Sequence, residues 1–422
     1  MVFTVEATAA EYIVDPVRGM LSGDGSALSP WQPIQEVLNK RHLRSGDTIY
    51  LRSGHYGHLE IRDQRNDSAV TILAEPGHIA TFDGVRVLSS ANWHLRGLHI
   101  GPSVKQYDGR TAIVEIGQGS ENIILEGSTI STAPDTTGWS ADDWRRRALH
   151  GILASGQAIT LRDNHIKNVR HGIHSEAHRS LIERNLIENF AGDGIRGLGD
   201  HTVYQFNTIK NCYKVDDNHD DGFQSWSVGP DGAPGTGEVV GGVLRGNRIV
   251  NYEDPNQSMR CNLQGIGLFD GFFVDWVIEN NVVVTDHWHG ITVMGARGVR
   301  IVNNTVIDPN ERRPGPPWIS ITDHKNGRPS ENSLIANNLS LPRAAHKANV
   351  FGLPKPGVTA IHNLNVTDPV VFFVDWKIHD LRLTADSPAI DAAASWLAPA
   401  TDIDGTPRPQ GAGVDVGAHE RR

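Results

Sequence analysis

The phrase that decides the fold reads HGIHSEA at His171–Ala177, DGIRGLG at Asp193–Gly199 and DGFQSWS at Asp221–Ser227. Weaker copies flank it, namely HGILASG at His150–Gly156, QGIGLFD at Gln264–Asp270 and HGITVMG at His289–Gly295. A unit that returns along a chain at a spacing of some tens of residues is the signature of a repeat architecture. The middle of the molecule is therefore predicted to be a stack of similar turns.

A second repeated phrase places an asparagine two residues before an apolar residue in most of its copies. The asparagines are Asn164, Asn185, Asn207, Asn247, Asn281, Asn304 and Asn338. The shortest steps between copies are about 22 residues, which leaves no room for helical crossovers between parallel strands. Stacked asparagine side chains at a bend form a hydrogen-bonded ladder, so we assign them a structural role and no chemistry.

Within each phrase apolar and polar residues alternate, which is the pattern of a strand with one buried face. Two or three such strands per turn predict an all-β fold, a single-stranded right-handed parallel β-helix, and exclude a doubly wound sheet. We predict one continuous domain in three segments. They are an N-terminal cap with the first strand (1–56), the coils (57–370) and a closing segment (371–422).

A short amphipathic helix is predicted near the N-terminus, where it would cover the open end of the solenoid. Ser29 and Pro30 are expected to open it, and Thr48–Leu51 is expected to be the first strand. The residues predicted to share its buried face are Trp31, Ile34, Val37 and Leu38.

Composition excludes several classes of protein. The net charge is −10 over 422 residues, with no basic stripe, which argues against a nucleic-acid partner. No apolar run reaches the length that a membrane span needs, so no membrane partner is expected. The start of the chain lacks the pattern of a signal peptide, which we expect to be absent or already removed. Cys212 and Cys261 are interpreted as two buried thiols.

The strand phrase predicts which side chains face outward. If position 1 is the residue before the glycine, the Ile or Phe at position 3 faces inward, so positions 4 and 6 face solvent. On three consecutive turns these positions hold His174, Glu176, Arg196, Gln224 and Trp226. Position 1 adds His150, His171, Asp193, Asp221 and His289 along the edge of the groove. Nothing in a solenoid requires such a cluster, so we predict a binding or catalytic site.

The densest polar stretch, KVDDNHDDG at Lys214–Gly222, allows three interpretations. It is a solvated acidic turn, a pair of carboxylates for general acid and base catalysis, or a calcium site. The calcium ligands would be Asp216, Asp217, Asp220 and Asp221.

Both ends of the chain resemble a known group of proteins. GDTIYLRSGHY at Gly46–Tyr56 resembles the opening of many secreted right-handed β-helix proteins that act on polysaccharides, including the alginate lyase and chondroitinase B group. Ser387–Ala394, Asp402–Pro409 and Gly413–Glu420 resemble their closing segment. The resemblance implies a secreted or periplasmic protein with a polysaccharide partner, and we favour a monomer. Trp226 and Trp288 would then be flat platforms for sugar rings.

The first functional hypothesis is a lyase that cleaves a uronic-acid polymer, such as alginate, by β-elimination. His174 would be the base, helped by Glu176, and Arg196 would neutralise the uronate. Lys214 or His219 would protonate the leaving oxygen. The site is similar to that of the mannuronan C5-epimerases, which carry an acid and then a histidine at positions 4 and 6. Here that order is reversed, and in DNHD at Asp217–Asp220 an asparagine replaces their proline.

A second hypothesis is an inverting hydrolase similar to the polygalacturonases. Asp193, the pair Asp220 and Asp221, and His289 follow their order, although the turn at Gln264–Asp270 intervenes. A third hypothesis is a β-helix that binds glycans without catalysis.

Overall fold

The computed structural model describes residues 9–40, 43–102, 111–254, 256–310, 313–341, 350–352 and 355–422. Three long sheets of parallel strands dominate it. The first sheet contains Glu11–Val14, Thr48–Leu51, Arg65–Ala74, Ala91–Arg96, Glu121–Glu126, Thr160–Arg162, Leu181–Glu183, Val203–Gln205, Val243–Arg245, Val277–Glu279, Arg300–Val302, Ser333–Ala336 and Val358–Ile361.

The second sheet contains His58–Arg62, Gly84–Leu88, Ala112–Ile116, His150–Ala154, Ile173–Ser175, Ile195–Gly197, Asp221–Trp226, Gln264–Asp270, His289–Met294 and Trp318–Thr322. The third contains Gly54–His55, Ala80–Phe82, His99–Ile100, Thr129–Ser131, His165–Val169, Leu186–Phe190, Thr208–Cys212, Arg248–Val250, Val282–Val284, Thr305–Ile307, Leu339–Leu341 and Leu364–Asn365. Each turn of the chain visits the three sheets in order, so the predicted parallel β-helix is confirmed, with three strands per turn.

The core of the solenoid is a column of apolar side chains from each sheet. In the second sheet the column is formed by the residues at position 3 of the phrase, which are fully buried. They are Ile152, Ile173, Ile195, Phe223, Ile266 and Ile291. Their burial confirms that positions 4 and 6 belong to the opposite face of the strand.

The predicted asparagine ladder is present at the bend before the third sheet. The side-chain Nδ2 of Asn164 donates to Asn185 Oδ1 (3.0 Å), and Asn185 donates in the same way to Asn207 (3.0 Å). The ladder continues through every predicted member and ends at Asn363. Each amide also donates to a main-chain carbonyl of the preceding coil, so these buried polar groups are satisfied.

The N-terminal helix exists but begins later than predicted, at Ile34, and spans Ile34–Lys40. Trp31 lies before it and pairs with Val14 as an isolated bridge, while its indole stacks on Tyr12. The first described strand is Glu11–Val14, which pairs in parallel with Thr48–Leu51. Thr48–Leu51 is therefore the second strand, and the expectation that it comes first was wrong.

The C-terminal segment contains the helix Pro369–Phe372, the antiparallel strands Phe373–Asp375 and Asp380–Leu383, and two 3₁₀ turns, Trp376–Ile378 and Ser395–Leu397. It runs along the outside of the last coils. Phe372 and Phe373 pack with outward residues of the third sheet, such as Val282 and Val284. Asn303 Nδ2 donates to the carbonyl of Asp415 at the bend (3.0 Å).

Smaller elements complete the fold. The helix Ala141–Arg147 begins at Ser140, whose hydroxyl caps it in a capping box with Asp143. Three short strands, Glu238–Val240, Phe272–Val274 and Ala296–Arg297, form an extra sheet beside the main coil. The three-segment division stays a prediction. No helix in the described ranges is both long and apolar enough to cross a membrane.

Cys212 and Cys261 form a disulfide, with Cα atoms 5.6 Å apart, so the interpretation as two free thiols was wrong. The bond joins the end of the strand Thr208–Cys212 to the segment before Gln264–Asp270. The main chain beside it is also paired, because Lys214 N donates to the Met259 carbonyl (2.5 Å). The disulfide thereby fixes the start of the acidic turn.

Replacing both cysteines with serine is expected to lower the free energy of unfolding by about 2–4 kcal/mol, because the bond closes a loop of 49 residues in the unfolded chain. Urea unfolding followed by circular dichroism measures the change. A reducing agent should destabilise the wild-type protein by a similar amount and leave the double variant unchanged. Equal midpoints for wild type and variant would contradict the prediction.

Candidate functional site

The second sheet carries the predicted site on its outer face. Three of its strands lie side by side in register, so that His174 pairs with Arg196, and Arg196 pairs with Gln224. Neighbouring strands lie about 4.8 Å apart, which brings these three side chains into one row. His174 and Arg196 are each about one-fifth exposed.

Trp226 joins this row from the position-6 column. The edge of the His174 ring meets the Trp226 ring at a centroid distance of 5.7 Å, and the Arg196 guanidinium carbon lies 5.7 Å from the same ring. We call His174, Arg196, Gln224 and Trp226 the central cluster. The sequence predicted all four of these residues as outward-facing, and the structure confirms their orientation.

The carboxylates at position 1 do not lie at the edge of the groove, as the sequence analysis expected. Asp193 and Asp221 are fully buried. In each case the position-4 side chain of the same strand folds back over them, because Arg196 Nε donates to Asp193 Oδ2 and Gln224 Nε2 donates to Asp221 Oδ2 (3.0 Å). Alternation along a strand predicts the face of the sheet on which a side chain lies. The contact with the position-4 side chain is what buries these two carboxylates.

The buried carboxylates interact with one another. The Asp221 main-chain N–H donates to Asp193 Oδ1 (3.0 Å), so both Asp193 oxygens accept hydrogen bonds. Burial raises the pKa of Asp193, although Arg196 opposes the shift. Burial, and then the charges of Asp193 and Asp220, raise the pKa of Asp221 well above its ordinary value. Asp221 Oδ1 has no hydrogen-bond partner among the described residues, which fits a protonated carboxyl.

Asp220 lies immediately before the strand Asp221–Trp226 and is also buried. Its Oδ1 accepts from Asn218 Nδ2 (3.1 Å), and its Oδ2 accepts from Lys214 Nζ (3.2 Å). Burial nevertheless raises the pKa of Asp220 to about 6. A carboxyl of this kind carries its proton in mildly acidic solution, which is a property of general acids.

The raised pKa of Asp220 predicts a pH-dependent cost. The folded protein keeps this proton up to about pH 6, whereas the unfolded chain loses it near pH 4. The contribution of this carboxyl to the free energy of unfolding is therefore fully present below about pH 4 and is lost as the pH rises through about 6. Asp220→Asn should therefore be more stable than wild type at pH 8, by about 2–3 kcal/mol, and similar to it at pH 4. Chemical unfolding at several pH values measures the difference. The exposed neighbour Asp217 offers the control, since Asp217→Asn should show no such trend.

Two histidines predicted at the edge of the groove form a stacked pair. The rings of His150 and His171 lie 4.8 Å apart at an angle of 22°. The main-chain N–H of Asp193 donates to His171 Nδ1 (2.8 Å), so this ring is neutral and carries its proton on Nε2. Burial, and then the charge of Arg196, lower the pKa of His171, and the same two causes lower that of His150 to about 4. His171 is buried, so the pair supports the groove floor.

The acidic turn does not gather its four predicted calcium ligands. Asp216 forms an ion pair with Arg170, which the sequence analysis had not singled out. Asp217 is exposed, whereas the side chain of Asp221 is fully buried. A cation at this turn would have to displace Arg170 and Lys214 from their carboxylates, so the residues do not fit one ligand set. Calcium binding stays a prediction, and no step below depends on it.

The two proposed proton donors of this turn differ in their surroundings. Both residues are exposed, but Lys214 Nζ is already engaged, since it donates to the carbonyl of Asn218 and to Asp220. Burial is the largest cause that lowers the pKa values of His287 and His289, and the charge of His219 adds to it.

An aromatic group lies further along the same sheet. Trp288 is 47% exposed, and its ring plane is parallel to that of Trp318 within 8°, with centroids 6.2 Å apart. His289 contacts Trp318 edge to face at 5.2 Å and stacks on His287 at 5.3 Å. We call the group formed by His287, Trp288, His289, Thr292 and Trp318 the aromatic cluster.

Trp288 and His289 were expected from the sequence, but their neighbour Trp318 was not. Trp318 pairs with His289 in the register of the second sheet, so WISIT at Trp318–Thr322 is one more copy of the strand phrase. A tryptophan in place of the His or Asp at position 1, and the absence of a glycine after it, concealed this copy.

Comparison with known proteins supports the fold. Residues 150–338 match the family model described as the right handed beta helix region. The structure of XylC with xylose is 11% identical, with a TM-score of 0.53, over 97% of this chain and 99% of the other. The A-module of a mannuronan C-5 epimerase from Azotobacter vinelandii is 14% identical, with a TM-score of 0.52, over 79% of this chain and 94% of the other.

A pectate lyase is 15% identical over 99% of this chain and 97% of its own, with a TM-score of 0.49. No curated protein sequence is significantly similar to this chain. At such identities the similarity establishes the architecture, and the chain is similar to right-handed parallel β-helix proteins. Its chemistry has to be argued from its own side chains.

Proposed function

We propose that this protein is a polysaccharide lyase that cleaves a uronic-acid polymer by β-elimination on the second sheet. The observation that carries the proposal is the state of Arg196. Its Nε is held by the buried carboxylate of Asp193, and within the described residues Nη1 and Nη2 have no hydrogen-bond partner. A guanidinium fixed in this way presents two parallel donors, which match a substrate carboxylate. Neutralising that carboxylate is what makes the neighbouring C5 proton acidic.

His174 supplies the base on the adjacent strand. Its Nε2 lies 3.3 Å from Glu176 Oε1, and this hydrogen bond lowers the pKa of Glu176. An ionised carboxylate only accepts hydrogen bonds, so the neutral imidazole carries its proton on Nε2 and keeps the lone pair on Nδ1. We assign Nδ1 of His174 as the atom that takes the C5 proton, and Glu176 as the group that sets the tautomer.

The elimination then balances as follows. The C5–H electrons form the C4=C5 double bond, the C4–O bond breaks, and the leaving oxygen takes a proton. Lys214 is already engaged by Asp220 and by the carbonyl of Asn218, so the exposed His219 is the more available donor.

Hydrolysis and simple binding are weaker interpretations. A hydrolase would need Asp193, Asp220 and Asp221 to touch the sugar, but Asp193 and Asp221 are fully buried and Asp220 is 3% exposed. A protein that only binds glycans has no use for an imidazole whose tautomer is set beside a fixed guanidinium. The fold is shared with a mannuronan C-5 epimerase module, an enzyme named for a reaction at the same carbon atom.

The location and partners follow from the same proposal. A disulfide between Cys212 and Cys261 is typical of oxidising compartments, which supports a secreted or periplasmic protein. A polysaccharide is the proposed partner, and a monomer remains our expectation. A net charge of −10 makes the local cation Arg196 the more important for holding an anionic chain.

The test is a panel of uronate polymers: alginate, polygalacturonate, glucuronan and chondroitin, each with calcium and with a chelator. The ultraviolet absorbance of the unsaturated uronate end should rise with at least one polymer. New reducing ends without that absorbance would establish hydrolysis instead. Loss of the signal in chelator would place a cation in the mechanism. Silence of both signals on every polymer would overturn the proposal.

A further inference from the structure

The aromatic cluster is continuous with the central cluster on the outer face of the second sheet. From Arg196 the column of position 4 runs through Gln224 and Gly267 to the buried Thr292, a distance of about 14 Å over three strand steps. The Phe269 ring lies over Gly267 and contacts His289 at 4.8 Å, so it forms the surface between the two clusters. Trp288 and Trp318 present flat, parallel rings at the end of this path, and Trp288 is the more exposed. Flat apolar rings with polar groups around them suit the faces of sugars.

The hydrogen-bonding groups of the cluster are donors with defined positions. The main-chain N–H of His289 donates to His287 Nδ1 (3.1 Å), so the neutral His287 carries its proton on Nε2. Thr292 Oγ1 accepts from Trp318 Nε1 and lies 2.9 Å from His289 Nδ1. The buried hydroxyl has no other acceptor among the described residues, so it donates to Nδ1, and His289 also keeps its proton on Nε2. Two imidazole N–H groups thus remain for sugar oxygens.

The cluster differs from the central cluster in charge. Burial is the main cause that lowers the pKa values of His287 and His289 to about 4, so both rings are neutral at neutral pH. The nearby cation Lys325 forms an ion pair with Asp270 (2.6 Å). In the described part of the chain, no group here matches the unpaired donors of Arg196.

In the other direction the groove carries a group of paired charges. There the position-4 column carries Glu60, Arg86 and Glu115. Arg86 pairs with both carboxylates, at 3.5 and 2.8 Å, and Arg62 also pairs with Glu60 (2.9 Å). The two arginines and the two carboxylates balance, so this group carries no excess positive charge for a polyanion.

We propose that the aromatic cluster is a subsite for an uncharged sugar, so that the substrate is a mixed polymer in which uronic acids are joined to neutral sugars. The inference rests on the proposed function, because it takes Arg196 as the uronate site. It adds that a polymer made only of uronates fits this groove less well, since its carboxylates would be desolvated against Trp288 and Trp318 without a guanidinium such as that of Arg196.

The experiment compares binding of oligosaccharides of equal length to the His174→Ala variant, which keeps the substrate intact. Hyaluronan and unsulfated chondroitin oligosaccharides alternate uronate with an uncharged sugar, whereas oligomannuronate and oligogalacturonate contain uronates only. We expect at least one alternating oligosaccharide to bind about tenfold more tightly than both homopolymers in calorimetry. Adding Trp288→Ala should weaken that binding about tenfold and change homopolymer binding little. The matched control is Trp396→Ala, since Trp396 is 76% exposed on the C-terminal segment.

Equal or tighter binding of the homopolymers would overturn the subsite, as would an unchanged affinity in the Trp288→Ala variant. The two proposals fail separately. A preference for alternating chains that depends on Trp288, without unsaturated products from any polymer, would keep the subsite and remove the lyase chemistry. Unsaturated products from homopolymers alone, with no effect of Trp288, would do the reverse.

Discussion

Replacing His174 with alanine is expected to lower kcat about 10²–10⁴-fold on the polymer that the wild-type protein cleaves. The Nδ1 lone pair of His174 is the only proposed acceptor for the C5 proton. The ring is partly exposed and its one hydrogen bond in the described structure joins the exposed Glu176, so its removal should leave the fold unchanged. Initial rates of ultraviolet absorbance measure the loss, and circular dichroism with a thermal midpoint checks the fold.

The matched control is His201→Ala, because His201 is an exposed histidine outside the groove-bearing sheet. Its rate should equal that of wild type. The Glu176→Gln variant distinguishes the role of His174 as base from the role of Glu176 as positioning group. It removes the charge that sets the tautomer of His174 but leaves Nδ1 of His174 in place. We expect a smaller loss in kcat than in His174→Ala, with an altered pH profile. A His174→Ala variant that keeps a tenth or more of the wild-type rate would contradict the assignment.

Much of the fold could be predicted from the sequence because each coil of a solenoid carries the same sequence pattern. Each copy of the phrase reports the same inward residue, such as Ile173 or Ile195, and each Asn of the ladder marks the same bend. Such signals are local and they reinforce one another along the chain. The C-terminal segment lacks a repeat, and its lateral packing on Val282 and Val284 depends on contacts that no periodicity encodes.

The sequence predicted which side chains of the site lie on the outer face of the sheet, but it did not predict which of them are buried. Alternation placed His174, Arg196 and Gln224 correctly on the outer face. It also placed Asp193 and Asp221 at the edge of the groove, whereas they are buried beneath the position-4 side chains of their own strands. The signal was present as a spacing of three residues in DGIR and DGFQ, where a carboxylate precedes a donor that can fold back to it.

Pairings between distant segments could not be predicted from the sequence for another reason. The disulfide of Cys212 with Cys261 and the ion pair of Arg170 with Asp216 join segments separated by inserts of irregular length. The register of a solenoid fixes which strands are neighbours, but it says nothing about how an insert returns to the coil. The acidic turn therefore suggested a calcium site, although its carboxylates have protein partners.

Replacing Arg196 with methionine is expected to lower the free energy of unfolding by about 3–5 kcal/mol, in addition to abolishing activity. The cause lies under the groove, where Asp193 is fully buried and would lose the cation that pairs with it. Without it the pKa of Asp193 rises further, so the deficit should be larger at pH 8 than at pH 5, because stability is lost as the pH rises through a raised folded-state pKa. Urea unfolding at both pH values measures it, and Arg179→Met, at an exposed arginine, is the control.

A double variant separates the structural role of Arg196 from its proposed catalytic role. In Asp193→Asn with Arg196→Met the buried charge is gone, while the asparagine Oδ1 can still accept the hydrogen bond from the Asp221 main chain. Most of the lost stability should return, and its pH dependence should disappear. Activity should not return, because the donors for the substrate carboxylate are still missing. Recovery of activity together with stability would show that Arg196 only supports the fold, and the uronate site would have to be sought elsewhere on the sheet.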